Sequence, residues 1–159
     1  MGERLRVVFF HGLESRPWGT KSLYLKEHFE VEAPDFEGMD IWDRLEKAEA
    51  ITEGMQDLVV VGSSYGGLLA ALLYSRYPER FRGYVLLAPA LYLPAADEIE
   101  RMPENAVVIH GEDDEVVPLQ GVREFCAEYG VKVEVVDDNH RLHDSLDPMV
   151  EAVRRVIGR

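Results

Sequence analysis

Two hydroxyls among three glycines interrupt an otherwise apolar stretch, VVVGSSYGGLLAALL, residues 59 to 73. Gly62, Ser64 and Gly66 make the pattern GxSxG, and it falls between an apolar run of strand type and an apolar run of helix type. A serine held at such a turn is forced into a strained backbone with its hydroxyl above the sheet edge. Flanking glycines are needed because a Cβ there would collide with the neighbouring strand or helix. The following helix would point its free N–H groups at the same place, where they favour developing negative charge. Ser63 occupies the x position and is expected to face the sheet. Two other readings of these residues are weaker. Small polar residues also collect at the loops of non-catalytic binding proteins, and a phosphate cradle would need the lysine of GxxxxGK[ST], which is missing.

A serine hydroxyl is a poor nucleophile until a base takes its proton, and the base needs an orienting acid. Downstream, HGEDDEVVP (110 to 118) offers Glu112, Asp113 and Asp114, and DDNHRLHDSLD (137 to 147) offers His140 and His143. Both stretches follow apolar strand-like runs. The chain order is therefore serine, acid, histidine, with all three after strands and on one sheet edge.

The elements that must position these groups alternate. LRVVFF (5 to 10), FEVEAP (29 to 34), LVVVG (58 to 62), GYVLLAP (83 to 89), AVVIHG (106 to 111) and VKVEVVD (131 to 137) read as six strands. Most are continuously apolar, as in strands covered on both faces. VKVEVVD alternates and is placed at an edge. Between them TKSLYLKEHF, IWDRLEKAEAITEGM, YGGLLAALLYSRYP and PLQGVREFCAEYG read as helices, and SLDPMVEAVRRVIGR closes the chain. Thr20 is the expected cap of the first helix and Asp144 or Asp147 of the last, while Pro78 and Gly130 mark helix ends. This predicts a single domain over residues 1 to 159, an α/β fold with a doubly wound, mainly parallel six-stranded sheet and helices on both faces. LYLPAADEIERMPEN (91 to 105) replaces a crossover helix with a short excursion.

Composition narrows the function. A chain of 159 residues is large enough for one sizeable core. The formal net charge of −13 disfavours nucleic acid, anionic membranes and polyanionic substrates. No apolar run reaches the ~18 residues of a membrane span, and the start MGERLRVVFFHG lacks the marks of a signal peptide or a myristoylation site. One cysteine, Cys126, rules out an intrachain disulfide and reads as a buried inert thiol. A soluble cytoplasmic protein is expected. No HExxH or CxxC spacing occurs, so neither metal nor cofactor is expected. The sequence carries no signal of oligomeric state.

Taken together, these residues resemble the α/β-hydrolase superfamily over nearly the whole chain, in a minimal form without a cap domain. More narrowly, HGLESRPWGTK followed by VGSSYGG resembles the small YqiA-like esterases, whose pattern is similar to HGFxSSPxSxK and VGSSLGG, although Glu14, Ser15 and Arg16 stand where that group has serines. The resemblance implies Ser64 as nucleophile. It implies Asp114 as acid, because Gly111, Asp114, Val117 and Pro118 fit GxxDxxVP, and His140 as base, because it opens the loop after the last strand. It also implies that His11–Gly12 begins a loop whose Leu13 N–H, with the N–H of Tyr65, holds an oxyanion. His11 itself reads as structural, His28 as a helix-surface residue, and His110 as a strand-end residue near the acid loop. Trp18, Leu91 and Tyr92, with Leu13 and Tyr65, are candidates to line a shallow pocket. The implied reaction is hydrolysis of small or short-chain carboxylic esters through an acyl-enzyme. A thioesterase, a peptidase or a non-catalytic interaction module on the same fold are the alternatives.

Overall fold

Alternate residues of the apolar runs face opposite ways, and that splits the core into two layers. In the computed structural model, which describes residues 7–159, β1 (Val7–Phe10) sends Val7 and Phe9 to one layer and Val8 and Phe10 to the other. β3 (Leu58–Ser63), β4 (Phe81–Leu87) and β5 (Ala106–Gly111) divide in the same manner: Val59, Val61, Val85, Leu87, Val107 and Ile109 oppose Leu58, Val60, Tyr84, Leu86 and Val108. A run that is apolar at every position is therefore a strand with no wet face.

Two edge strands complete the sheet, β2 (Val31–Glu32) and β6 (Val133–Val136), in the order β2-β1-β3-β4-β5-β6. Every pairing is parallel. The alternating VKVEVVD run does lie at an edge, and FEVEAP yields only two paired residues at the other. Helices α1 (Thr20–His28) and α5 (Leu146–Gly158) cover one face, and α2 (Ile41–Ile51), α3 (Tyr65–Arg76) and α4 (Leu119–Ala127) cover the other. After β4 the chain makes only a 3-10 turn, Pro94–Glu98, in place of a crossover helix. That leaves the sheet edge above β4 without a cap.

Two helix starts differ from expectation. Gly19, not Thr20, is the N-cap of α1, and its N–H is taken by the Ser22 hydroxyl at 2.8 Å. At α5 the cap is Ser145, and Asp147 instead accepts a hydrogen bond from the Tyr24 hydroxyl, tying α5 to α1. No helix among the described residues is long and apolar enough to cross a membrane. Cys126 is fully buried, which pushes its thiol up to about 12.

The first turn of α3 lies directly on the sheet. A Cβ on Gly66 would sit 2.0 Å from the Phe10 carbonyl oxygen, and one on Gly62 would sit 2.4 Å from the Gly66 carbonyl oxygen. Gly121, inside α4, has nothing within 4 Å of the equivalent position. Gly66→Ala should therefore lower the urea midpoint sharply, a loss of about 3 kcal/mol or more from overpacking against backbone. Gly121→Ala should raise stability by up to about 1 kcal/mol through helix propensity. Equal effects of the two substitutions would contradict this packing.

Candidate active site

Ser64 stands between the last residue of β3 and the first of α3 with φ 53° and ψ −110°, outside the regions that L side chains ordinarily occupy. Four backbone hydrogen bonds hold it there. Its N–H donates to Leu87 O at 2.8 Å, and its carbonyl accepts from Gly67 at 3.0 Å, Leu68 at 3.2 Å and Ala90 at 3.0 Å. This strained residue is thus fixed by the α3 start and the β4 exit together.

Its hydroxyl Oγ lies 3.0 Å from His140 Nε2, and His140 Nδ1 lies 2.8 Å from Asp114 Oδ2. The three side chains come from the loops after β3, β5 and β6, 76 and 26 residues apart along the sequence. The Asp114 side chain is fully buried, yet each of its oxygens is engaged: Oδ1 accepts the N–H groups of Val116 (2.8 Å) and Val117 (2.7 Å), and Oδ2 faces His140. Glu112 and Asp113 are exposed, and neither has a side-chain bond to His140. His143 lines the cleft without joining the hydrogen-bonded chain.

The other histidines near the edge are buried. His11 Nε2 accepts the Phe36 N–H at 2.8 Å, so the proton sits on Nδ1, which donates to Gly12 O at 2.8 Å. His110 Nε2 lies 2.8 Å from Val117 O and 3.2 Å from Asp114 Oδ2, a second contact to the acid from within β5. Burial pulls both histidines below the usual imidazole range.

Arg44 is a residue that the motifs do not reveal. Its side chain is fully buried, donating from one terminal nitrogen to His11 O at 2.6 Å and from the other to Gly12 O at 2.9 Å. The guanidinium also lies 4.9 Å from the Tyr65 ring centre and 5.5 Å from that of Phe36. Burial pulls its pKa down, opposed by Tyr65 and Asp35. A signal existed: Ile41, Arg44, Leu45 and Ala48 form the buried stripe of α2, and a cation inside such a stripe has a partner to find. Asp138 is the second such residue. Its buried carboxylate accepts from the N–H of Asn139 (2.8 Å), the N–H of Asp144 (3.0 Å) and the hydroxyl of Ser145 (2.8 Å), which folds the loop that carries His140.

An open cleft of about 920 Å³ passes over Ser64 and His140, and Leu13, Tyr65 and Tyr92 line it. Neither the Leu13 nor the Tyr65 N–H has an acceptor among the described residues. Trp18 and Leu91 do not line the cleft. Trp18 lies at the surface with the Lys26 ammonium 5.0 Å from its ring centre, and Leu91 turns into the core beneath the 3-10 turn. No group of three His, Cys, Asp or Glu suited to a metal ion occurs among the described residues.

Two measurements check these assignments. Arg44→Met takes the side-chain donor from the buried His11 carbonyl and leaves the Gly12 carbonyl to its His11 and Ser15 donors, and should cost about 1 to 3 kcal/mol in urea unfolding, with a smaller loss for Arg44→Lys. For His11 and His110, the unfolded value near 6.5 exceeds the folded one, so the unfolded chain binds more protons and folding is favoured at higher pH. Their contribution is complete above about pH 6.5 and fades as pH falls through the depressed folded values. The urea midpoint should drop between pH 7.5 and pH 5, and the slope should be shallower in His110→Gln.

The fold has close counterparts. A protein of Xanthomonas campestris pv. campestris assigned to the alpha/beta hydrolase superfamily superimposes with a TM-score of 0.83 at 25% identity, covering 99% of both chains. Est1E of Butyrivibrio proteoclasticus gives 0.81 at 16% identity over 99% of this chain and 90% of its own, and mouse alpha/beta hydrolase domain-containing protein 10 gives 0.78 at 16% over 99% and 91%. Among curated proteins, none matches the sequence. The sequence does match the alpha/beta hydrolase family over residues 7–104, which takes in the His11–Gly12 loop, the GxSxG turn and four of the six strands. With more than half of its length matched and its six-stranded parallel sheet superimposing on that of a superfamily member, the chain belongs to the alpha/beta hydrolase family.

Proposed function

We propose that this chain is a serine hydrolase of small carboxylic esters, resembling the small capless YqiA-like esterases, with Ser64 as nucleophile, His140 as base and Asp114 as the orienting acid. The observation that carries the proposal is the unbroken chain from Ser64 Oγ to His140 Nε2 (3.0 Å) and from His140 Nδ1 to Asp114 Oδ2 (2.8 Å), built on a strained serine backbone. His140 Nε2 takes the Ser64 proton as Oγ attacks the ester carbonyl, and the resulting imidazolium faces the Asp114 carboxylate. The same proton passes to the departing alkoxide, leaving an acyl group on Ser64. Water then loses a proton to His140 and attacks the acyl carbon, the bond from that carbon to Ser64 Oγ breaks, His140 returns the proton to Oγ, and the carboxylic acid leaves.

The negative oxygen formed in each attack needs donors set in advance. The unpaired N–H groups of Leu13 and Tyr65 at the cleft support that role. Arg44 and His11 both donate to the Gly12 carbonyl. In a trans peptide the N–H points opposite to the C=O, so holding that carbonyl inward turns the Leu13 N–H outward. Donors on the carbonyl also polarise the shared peptide unit and strengthen its N–H as a donor. A small ester is favoured by the missing cap over β4 and by the exposure of Leu13, Tyr92 and Val116 around the cleft, each more than half accessible.

A fluorophosphonate should label Ser64, and Ser64→Ala should abolish both labelling and cleavage of p-nitrophenyl acetate. Asp114→Asn should lower kcat by on the order of 10³ to 10⁴, with Asp113→Asn near wild type and His140→Gln far more damaging than His143→Gln. A folded protein whose Ser64 resists labelling would point to a non-catalytic module.

A further inference from the structure

The cleft's charge runs against the chain's. The sequence holds 30 acidic and 17 basic residues, yet the cleft wall carries Arg16, Lys21 and Arg141 against one acid, Glu14. Net charge describes the field at a distance, whereas the field inside a concave site follows the groups that line it.

Two of these cations lack a counter-charge in contact. Arg16 Nε stands 3.8 Å from Glu37 Oε1 and is partly neutralised. Neither the Lys21 ammonium nor the Arg141 guanidinium has a hydrogen bond or an ion pair within 4 Å among the described residues. Lys21 is half-buried, and burial lowers its pKa, with Asp138 opposing and Arg141 reinforcing the shift. Asp138 does not answer the charge by contact, because its two oxygens are already taken by Asn139, Asp144 and Ser145. A half-buried ammonium with unused donors is a standing cost that an incoming anion would remove.

We infer that the cleft takes an ester bearing one free carboxylate, such as the half-ester of a small dicarboxylic acid, with that carboxylate against Lys21 and Arg141 and the ester carbonyl over Ser64. Arg141 directly follows the histidine that meets Ser64, and Lys21 stands in the first turn of α1, so the anion site adjoins the reacting centre. Leu13, Tyr92, Leu93 and Val116 offer apolar wall for a short methylene spacer. Two unpaired cations with Glu14 at the same cleft suit a single negative charge better than several. This inference rests on the hydrolase reading, and hydrolysis would release a dicarboxylate and an alcohol.

The test separates the two. Folded Ser64→Ala protein is titrated with monomethyl succinate and with dimethyl succinate, followed by amide NMR shifts. The half-ester should bind at least tenfold tighter at low salt, and the ratio should fall towards one in Ser64→Ala carrying Lys21→Met and Arg141→Met, or in 0.5 M NaCl. In otherwise wild-type protein, kcat/KM for mono-p-nitrophenyl succinate over p-nitrophenyl butyrate should fall with the same two substitutions. Equal binding of the two succinates, or a ratio that the two substitutions leave unchanged, overturns the inference. Fluorophosphonate labelling of the wild type reports on the hydrolase reading alone. A labelled protein without carboxylate preference sinks only the anion site, and an unlabelled one that still prefers the half-ester sinks only the chemistry.

Discussion

Backbone touches backbone where α3 leaves the sheet. The Gly66 Cα lies so near the Phe10 carbonyl that no side chain fits, and Gly62 lies as near to the Gly66 carbonyl. For the helix to start that close to β1 and β3, the connecting turn must be a single residue with a left-handed φ, and Ser64 is that residue. The cost of this conformation is offset by four backbone hydrogen bonds, two of them reaching the end of β4 and the residues just beyond it. A longer, relaxed turn would free the serine from strain. It would also let the hydroxyl wander from the 3.0 Å approach to His140, so tight packing and the geometry of the site are one constraint.

Loops carry the rest of the site, and each is held by a buried charge bonded chiefly to backbone. Arg44 grips the His11 and Gly12 carbonyls, Asp114 takes two N–H groups of its own loop, and Asp138 takes two N–H groups and a hydroxyl of the loop bearing His140. Replacing a buried charge and its polar partners together by apolar groups is often neutral, because leaving water costs about as much as the pairing returns, whereas removing the charge alone strands its partners. What it adds here is definition: an irregular segment with no ladder of its own acquires fixed partners. The strands set where the loops begin, and the charges set where their functional atoms end.

Much of this was legible from residue patterns, for physical reasons that also mark the limits. Runs such as LVVV and YVLL could be read as two-faced strands because every position is apolar, and the GxSxG turn stood out because only glycine tolerates that packing. Arg44 was invisible to motif reading, since its meaning depends on which carbonyls α2 passes over, and that is fixed only when the layers assemble. Asp138 was hidden by its neighbours, one acid among several in DDNHRLHDSLD until burial singled it out. Trp18 and Leu91 were misplaced because proximity along the chain to a site loop says little about which way a side chain turns. The starts of α1 and α5 shifted by a residue or two for a similar reason: Ser22 and Asp138 offered local bonds that competed with the expected caps.

Charge shows the same division between what sums and what is local. A total of −13 led to the expectation that polyanionic substrates are disfavoured. At physiological ionic strength, exposed charges are screened over roughly 8 Å, so the many surface carboxylates act weakly on a molecule already inside the cleft. Lys21 and Arg141, in the cleft wall, act on it at shorter range. An acidic exterior around a cationic cleft discriminates by size and charge together: an extended polyanion must cross the outer field with most of its charge unpaired, while a small monoanion meets its counter-charges within a few ångströms. The overall charge therefore bears on which anions approach, and the cleft on which one stays.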